Sequence, residues 1–203
     1  MFALFLNGCD DGDLTVDTID FSAITPESCD PNTSTLMYKI KQQEALLLQL
    51  PAGALRNENE EYTYNIDNTS NRVVYRAYDG NVVALTNICG LIPPSTPKVT
   101  EEWIGTNGII EIKSEQVSPP ISATNDGTRI TGYNHTIIFR NITFAKPEKQ
   151  TQPELKFGVY KSNVTPADLT FLVTPNNSAY QCENIKGVFN FNNSFYLSIE
   201  NID

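Results

Sequence analysis

The chain has 203 residues, 40% of them hydrophobic and 19% charged, and a formal net charge of −10. That length suits one large or two small domains with ample area for a core. The acidity and the lack of a Lys/Arg cluster exclude recognition of a phosphate backbone, and no run of 18 apolar residues offers a membrane-spanning helix.

The first element is a short apolar run, residues 2–6, followed by Gly8, Cys9 and the acids Asp10, Asp11 and Asp13. A lipoprotein export signal sets an apolar segment and a small residue before the cysteine that receives lipid. Gly8 supplies the small residue, and Cys9 is the expected lipidation position. Export signals ordinarily carry a positive leader and an apolar core of about 7–15 residues. Here no Lys or Arg precedes Cys9. Residues 1–8 therefore read as a signal shortened at its front. The competing reading makes residues 2–6 a buried first strand. The acids and the Thr/Ser-rich stretch behind them read as a solvated tether over 9–28. The folded domain is expected over 29–203.

From Thr35 the text is strand-like. Leu36, Tyr38 and Ile40 alternate with Met37 and Lys39, and Tyr62, Tyr64 and Ile66 with Thr63 and Asn65. Residues 82–88, 109–113, 136–144, 155–160, 169–173 and 195–199 are rich in β-branched and aromatic residues. Asp79-Gly80, Asn107-Gly108, Asp126-Gly127 and Asn192-Asn193 read as turns between them. Residues 42–50 hold good helix formers, but the alternation before them and Pro51 after them favour a hairpin. Thr165, Pro166 and Asp168 form the cap, first-turn and capping-box set of a single helical turn. Three prolines within 92–97 cannot sit in a central strand and mark a candidate sub-boundary. The pattern predicts an all-β protein, an antiparallel β-sandwich or jelly roll with little helix.

With Cys9 lipidated, Cys29, Cys89 and Cys182 remain as disulfide candidates. All three pairings are open, and the reading leans to Cys29–Cys89. A disulfide suits an exported protein. No C-x-x-C spacing appears, so structural zinc is not expected.

Groups that carry chemistry are sparse. A Ser-His-Asp triad would have to use His135, the single histidine, and no Gly-x-Ser-x-Gly elbow accompanies it. The plainer reading makes His135 a hydrogen-bonded residue at a strand end. Carboxylate pairs for glycoside hydrolysis could come from Glu101 with Glu102 or Glu111 with Glu115. Trp103, the single tryptophan, and Tyr133 could stack a sugar ring; core packing is the plain alternative. Asp67 and Asp126 lie in Asx-rich loops that offer calcium ligands, without the spacing of an EF-hand. No cofactor is expected. Seven Asn-x-Ser/Thr matches, at Asn32, Asn68, Asn134, Asn141, Asn163, Asn176 and Asn192, would be glycan acceptors in a eukaryotic secreted protein.

The cysteine followed by acids resembles surface lipoproteins of the Bacteroidota. Leu36-Met-Tyr-Lys-Ile40, Cys89-Gly-Leu-Ile-Pro-Pro94, the segment 108–112 and Ile130-Thr-Gly-Tyr-Asn-His-Thr136 resemble uncharacterised flavobacterial members of that group. The resemblance covers most of the chain. It implies that Asp10, Asp11 and Asp13 direct transport to the outer face of the outer membrane, with a periplasmic face as the alternative. It implies no activity. The expectation is a lipid-anchored, non-catalytic binding or adhesion module for an extracellular glycan or protein. A structural lipoprotein of an outer-membrane complex is the alternative, and a carboxylate-based hydrolase stands behind both.

Overall fold

The computed structural model describes residues 19–123, 129–145, 150–165, 180–181, 187–192 and 196–200. Cys9, Asp10, Asp11, Asp13, Asp126 and Cys182 lie outside the described residues. So do the apolar run 2–6, the helical turn expected around 166–168 and the strand expected over 169–173. The chain divides into two units, Met1–Asn163 and Val164–Asp203.

Among the described residues, the first unit has eight strands: β1 Glu27–Ser28, β2 Leu36–Lys41, β3 Glu44–Gln49, β4 Glu60–Asn65, β5 Arg72–Tyr78, β6 Val99–Val117, β7 Gly132–Ala145 and β8 Gln150–Asn163. They form one antiparallel sheet in the order β1-β2-β3-β5-β6-β7-β8, with β4 paired separately to β6. The expected hairpin over residues 42–50 is present as β2–β3, in register from Leu36 opposite Gln49 to Lys41 opposite Glu44. Segment 92–97 lies within this unit and joins the paired strands β5 and β6.

Residue 107 is where the sheet bends. β6 pairs with β5 through its first part, Val99 to Ile104, and with β4 through its second, Ile109 to Ser114. Register shifts on β6 between Gly105 and Ile109 separate the two parts. Asn107-Gly108 is therefore a bulge inside one long strand and not the hairpin turn its composition suggests. Gly108 has φ +125°, and a side-chain carbon there would come within 2.9 Å of the Arg140 carbonyl oxygen. β7 answers with Asn141 at φ 49°. The buried series on β7 accordingly steps from Phe139 to Ile142, three residues where a regular strand allows two. On β8 Gly158, at φ +106°, makes the same step between Phe157 and Tyr160.

These bends bring the two ends of the sheet together. The Tyr160 hydroxyl of β8 lies 2.9 Å from the hydroxyls of both Ser28 and Ser34 at the β1–β2 end. The sheet thus packs on itself as a sandwich-like all-β fold. Its core holds Phe21, Met37, Leu46, Leu48, Val73, Trp103, Ile110, Ile112, Ile137, Phe139, Phe144 and Phe157. Ile19 and Phe21 belong to this core, so the folded unit begins ahead of Cys29 and the expected tether stops short of residue 19.

A second cluster covers the other face of β2, β3 and β5: Tyr38, Ala45, Leu47, Val74, Tyr78 and Ile88. Burial on both faces explains why β3 reads as an unbroken Ala-Leu-Leu-Leu run. The cover is the excursion between β5 and β6. Residues 82–88, expected as a strand, carry a π-helical turn over Ala84–Ile88. Asn87 is buried, and its Oδ1 accepts the Val83 N–H at 2.8 Å. Cys89 ends the turn and is bonded to Cys29 across 60 residues, with Cα atoms 5.4 Å apart.

The second unit, among the described residues, contains β9 Tyr180–Gln181, β10 Gly187–Phe191 and β11 Tyr196–Glu200, an antiparallel sheet in the order β11-β10-β9.

Candidate functional site

The inward positions of β7 are Tyr133, His135, Ile137 and Phe139, all buried. In-register pairing sets His135 opposite Ser114 of β6 and Tyr160 of β8. The imidazole is fully buried. Its Nδ1 lies 2.7 Å from Ser114 Oγ and its Nε2 lies 2.9 Å from Ser162 Oγ. The Tyr133 and Tyr160 rings lie roughly parallel to it, with centroids 6.3 and 6.2 Å away.

The contacts continue in both directions. Tyr62 hydroxyl is 3.3 Å from Ser114 Oγ and accepts the backbone N–H of Arg56 at 2.8 Å. Ser162 Oγ donates to Asn57 Oδ1 at 3.2 Å. A single direction of donation satisfies the whole series. Arg56 N–H gives to Tyr62, Tyr62 to Ser114, Ser114 to His135 Nδ1, His135 Nε2–H to Ser162, and Ser162 to Asn57. That order requires a neutral imidazole with its proton on Nε2. Burial pushes the His135 pKa down from 6.5, which keeps it neutral at pH 7.

This order also decides what the serines can do. A nucleophilic serine gives its proton to an imidazole lone pair, and a carboxylate orients the far nitrogen. In that order Nε2 donates to Ser162, and a serine stands at Nδ1 where the carboxylate would be. The arrangement clamps β4, β6, β7, β8 and the segment before β4 together.

The carboxylates of β6 are engaged outward. Arg140 grips Glu111 with two bonds, Nη2 to Oε1 at 2.9 Å and Nε to Oε2 at 3.2 Å, and also pairs with Glu154. The Arg140 guanidinium holds the Glu111 carboxyl below the usual range. A glycosidase acid needs the opposite shift. Glu102 pairs with Arg76 at 2.6 Å and Glu115 with Lys113 at 2.8 Å. Glu101 is exposed, opposite Ala77.

Trp103 does not offer a ring to a ligand. It is 4% exposed, with its ring 4.6 Å from Tyr75 and 6.4 Å from Phe144. Tyr133 is buried beside His135. Both stacking candidates are core residues, because each occupies an inward strand position. Asp67 closes its own loop: Oδ1 accepts the N–H groups of Thr69, Ser70 and Asn71 at 2.8–2.9 Å. Those bonds, Asn71 first, lower its pKa. Among the described residues, no cluster of three His, Cys, Asp or Glu is placed to hold a metal ion.

No protein-family model matches the chain, and no curated protein or solved structure is detectably similar to it.

The second unit carries an exposed aromatic surface. Phe189 pairs across the sheet with Tyr180 on one side and Ser198 on the other, and Phe191 pairs with Tyr196. These residues share one face. The ring centroids of Tyr180, Phe189 and Phe191 are 5.5 to 6.5 Å apart. Tyr180, Phe191 and Tyr196 are exposed, Tyr196 by 78%. An open groove of about 380 Å³ runs along the hairpin, lined by Val188, Phe189, Phe191, Tyr196, Ser198 and Ile199. That volume is in the range of small-ligand sites. The signal was in the sequence as the alternation of Phe189 with Phe191 and of Tyr196 with Ser198. It differs from a core strand only in exposure, which composition does not encode.

Proposed function

We propose that this protein is a non-catalytic binding module, lipid-anchored at Cys9 on the outer face of an outer membrane, whose ligand is an extracellular glycan or protein. The observation that carries the reading is the exposed aromatic face of Tyr180, Phe189, Phe191 and Tyr196 with its groove. Aromatic rings offer large contact area at low cost in side-chain freedom and stack on the apolar faces of sugars or on partner side chains. Ser198 and Glu200, on the same face as Tyr196, supply polar contacts beside the rings. The Cys29–Cys89 disulfide supports an oxidising compartment. The saturated hydrogen bonds of His135 and the ion-paired Glu111 support a role other than catalysis.

The test is a glycan array and a screen of extracellular proteins, probed with the purified chain, wild type beside Tyr196→Ala and Phe191→Ala. The expected result is a specific ligand whose affinity falls about tenfold or more in either variant, the loss ordinary for a truncated aromatic anchor. A ligand bound equally by both variants contradicts the site. No ligand in either screen contradicts the function.

A further inference from the structure

No Asp, Glu, Lys or Arg lies between Asp79 and Lys98, in a chain that is 19% charged overall. This charge-free segment is the excursion between β5 and β6, and its inner side chains Val82 and Ile88 pack on the outer cluster. Its outer side chains do the reverse. Leu91 is 103% exposed, Ile92 88% and Leu85 78%, and Val83 is exposed beside them. Scattered exposed apolar residues need no explanation, but several on one uncharged segment do.

The segment is held in shape. Val82 N–H donates to the Gln42 carbonyl, Cys89 N–H to Ala84, and Asp79 N–H to Lys98 at 2.9–3.0 Å. The Lys98 N–H returns to Asp79 Oδ1 at 2.7 Å, closing the base. The disulfide fastens Cys89, two residues before Leu91, to Cys29. A preorganised aliphatic tip loses little freedom on docking.

We propose that the charge-free segment 80–97 is a second membrane contact, seating Leu85, Leu91 and Ile92 in the acyl-chain boundary of a lipid bilayer. This rests on the lipid-anchored reading and deepens it. Two observations favour lipid over a protein pocket. Protein interfaces draw their binding energy from Trp, Tyr and Arg anchors and ring them with polar groups. The segment has no aromatic residue and no Arg, only aliphatic tips, Pro and small polar residues. Charge is costly in hydrocarbon, and charge is what the segment lacks.

The test is co-sedimentation of the full chain with phosphatidylcholine vesicles, using Cys9→Ser to remove the lipid and Cys9→Ser/Leu91→Asp/Ile92→Asp to remove the tip as well. Both tip side chains lie outside the core, so an unchanged melting temperature verifies the fold. The expected result is that Cys9→Ser still partitions onto vesicles and that the triple variant does so at least about tenfold less, since two buried aliphatic side chains are lost. No binding by Cys9→Ser at saturating lipid, or equal binding by the triple variant, overturns the proposal. Cross-linking from position 91 to a protein, with no vesicle binding, overturns it in favour of a protein pocket. Failure of the anchor is read separately: the wild type then takes up no lipid label, whatever Cys9→Ser does on vesicles.

Discussion

His135 and Lys39 are polar side chains carried into the interior by strand alternation, and they meet different surroundings. His135 has a hydrogen-bond partner at each ring nitrogen. Its folded pKa lies below 6.5 because burial disfavours the imidazolium, whereas the unfolded chain regains about 6.5. Below that pH the unfolded state takes a proton that the folded state refuses. The His135 contribution is therefore complete above about pH 6.5 and is lost as pH falls towards the folded pKa. Urea unfolding from pH 8 to pH 5 should show a steeper loss of stability in the wild type than in His135→Gln. Equal slopes would mean that His135 is not held neutral. Lys39 is 1% exposed, with Nζ 5.9 Å from the centre of the Phe157 ring. Burial lowers its pKa, and the Asp20 carboxylate opposes the shift. Replacing a buried charge with an apolar chain of similar length is often neutral or stabilising. Lys39→Met should match the wild type or exceed it by about 1 kcal/mol in urea unfolding. A loss beyond about 2 kcal/mol would show that the ammonium supplies bonding the fold depends on.

At the scale of elements, the disulfide constrains the chain strongly. Cross-linking residues 60 apart removes about 4 kcal/mol of unfolded-state entropy in the chain model. Cys29→Ser and Cys89→Ser should each lower stability by about that amount, and a reductant should do the same to the wild type. A reductant-insensitive wild type would contradict the bond. The hairpin β2–β3 was legible because alternation and Pro51 outweighed the helix propensity of its Leu-rich run. The bulge at Asn107-Gly108 was not, since the same dipeptide serves a tight turn or a kinked strand. Only the long-range pairing of β6 with β4, β5 and β7 decides between them. Val82 to Ile88 failed as a strand for a related reason. Its β-branched residues cover an already complete sheet face, and a buried Asn87 capping Val83 turns the backbone instead.

Across the whole molecule, strand patterning carried the fold class, because period-two burial is written directly in the text. It did not carry the site. An inward aromatic and an outward one have the same composition, so the sequence leaves Trp103 open between a stacking platform and the core, where it lies, while Tyr196, in an expected strand, is exposed. The protein that results joins a sandwich-like unit, stiffened by the His135 relay and the disulfide, to a unit that displays aromatic rings. Display at a cell surface is the claim on which the function depends. The deciding measurement is metabolic lipid labelling with protease shaving of intact cells, using the full gene, wild type beside Cys9→Ser. The account predicts label in the wild type, no label in the variant, and wild-type protein shaved from the surface. An unlabelled wild type, or a labelled one that the protease cannot reach, would contradict it.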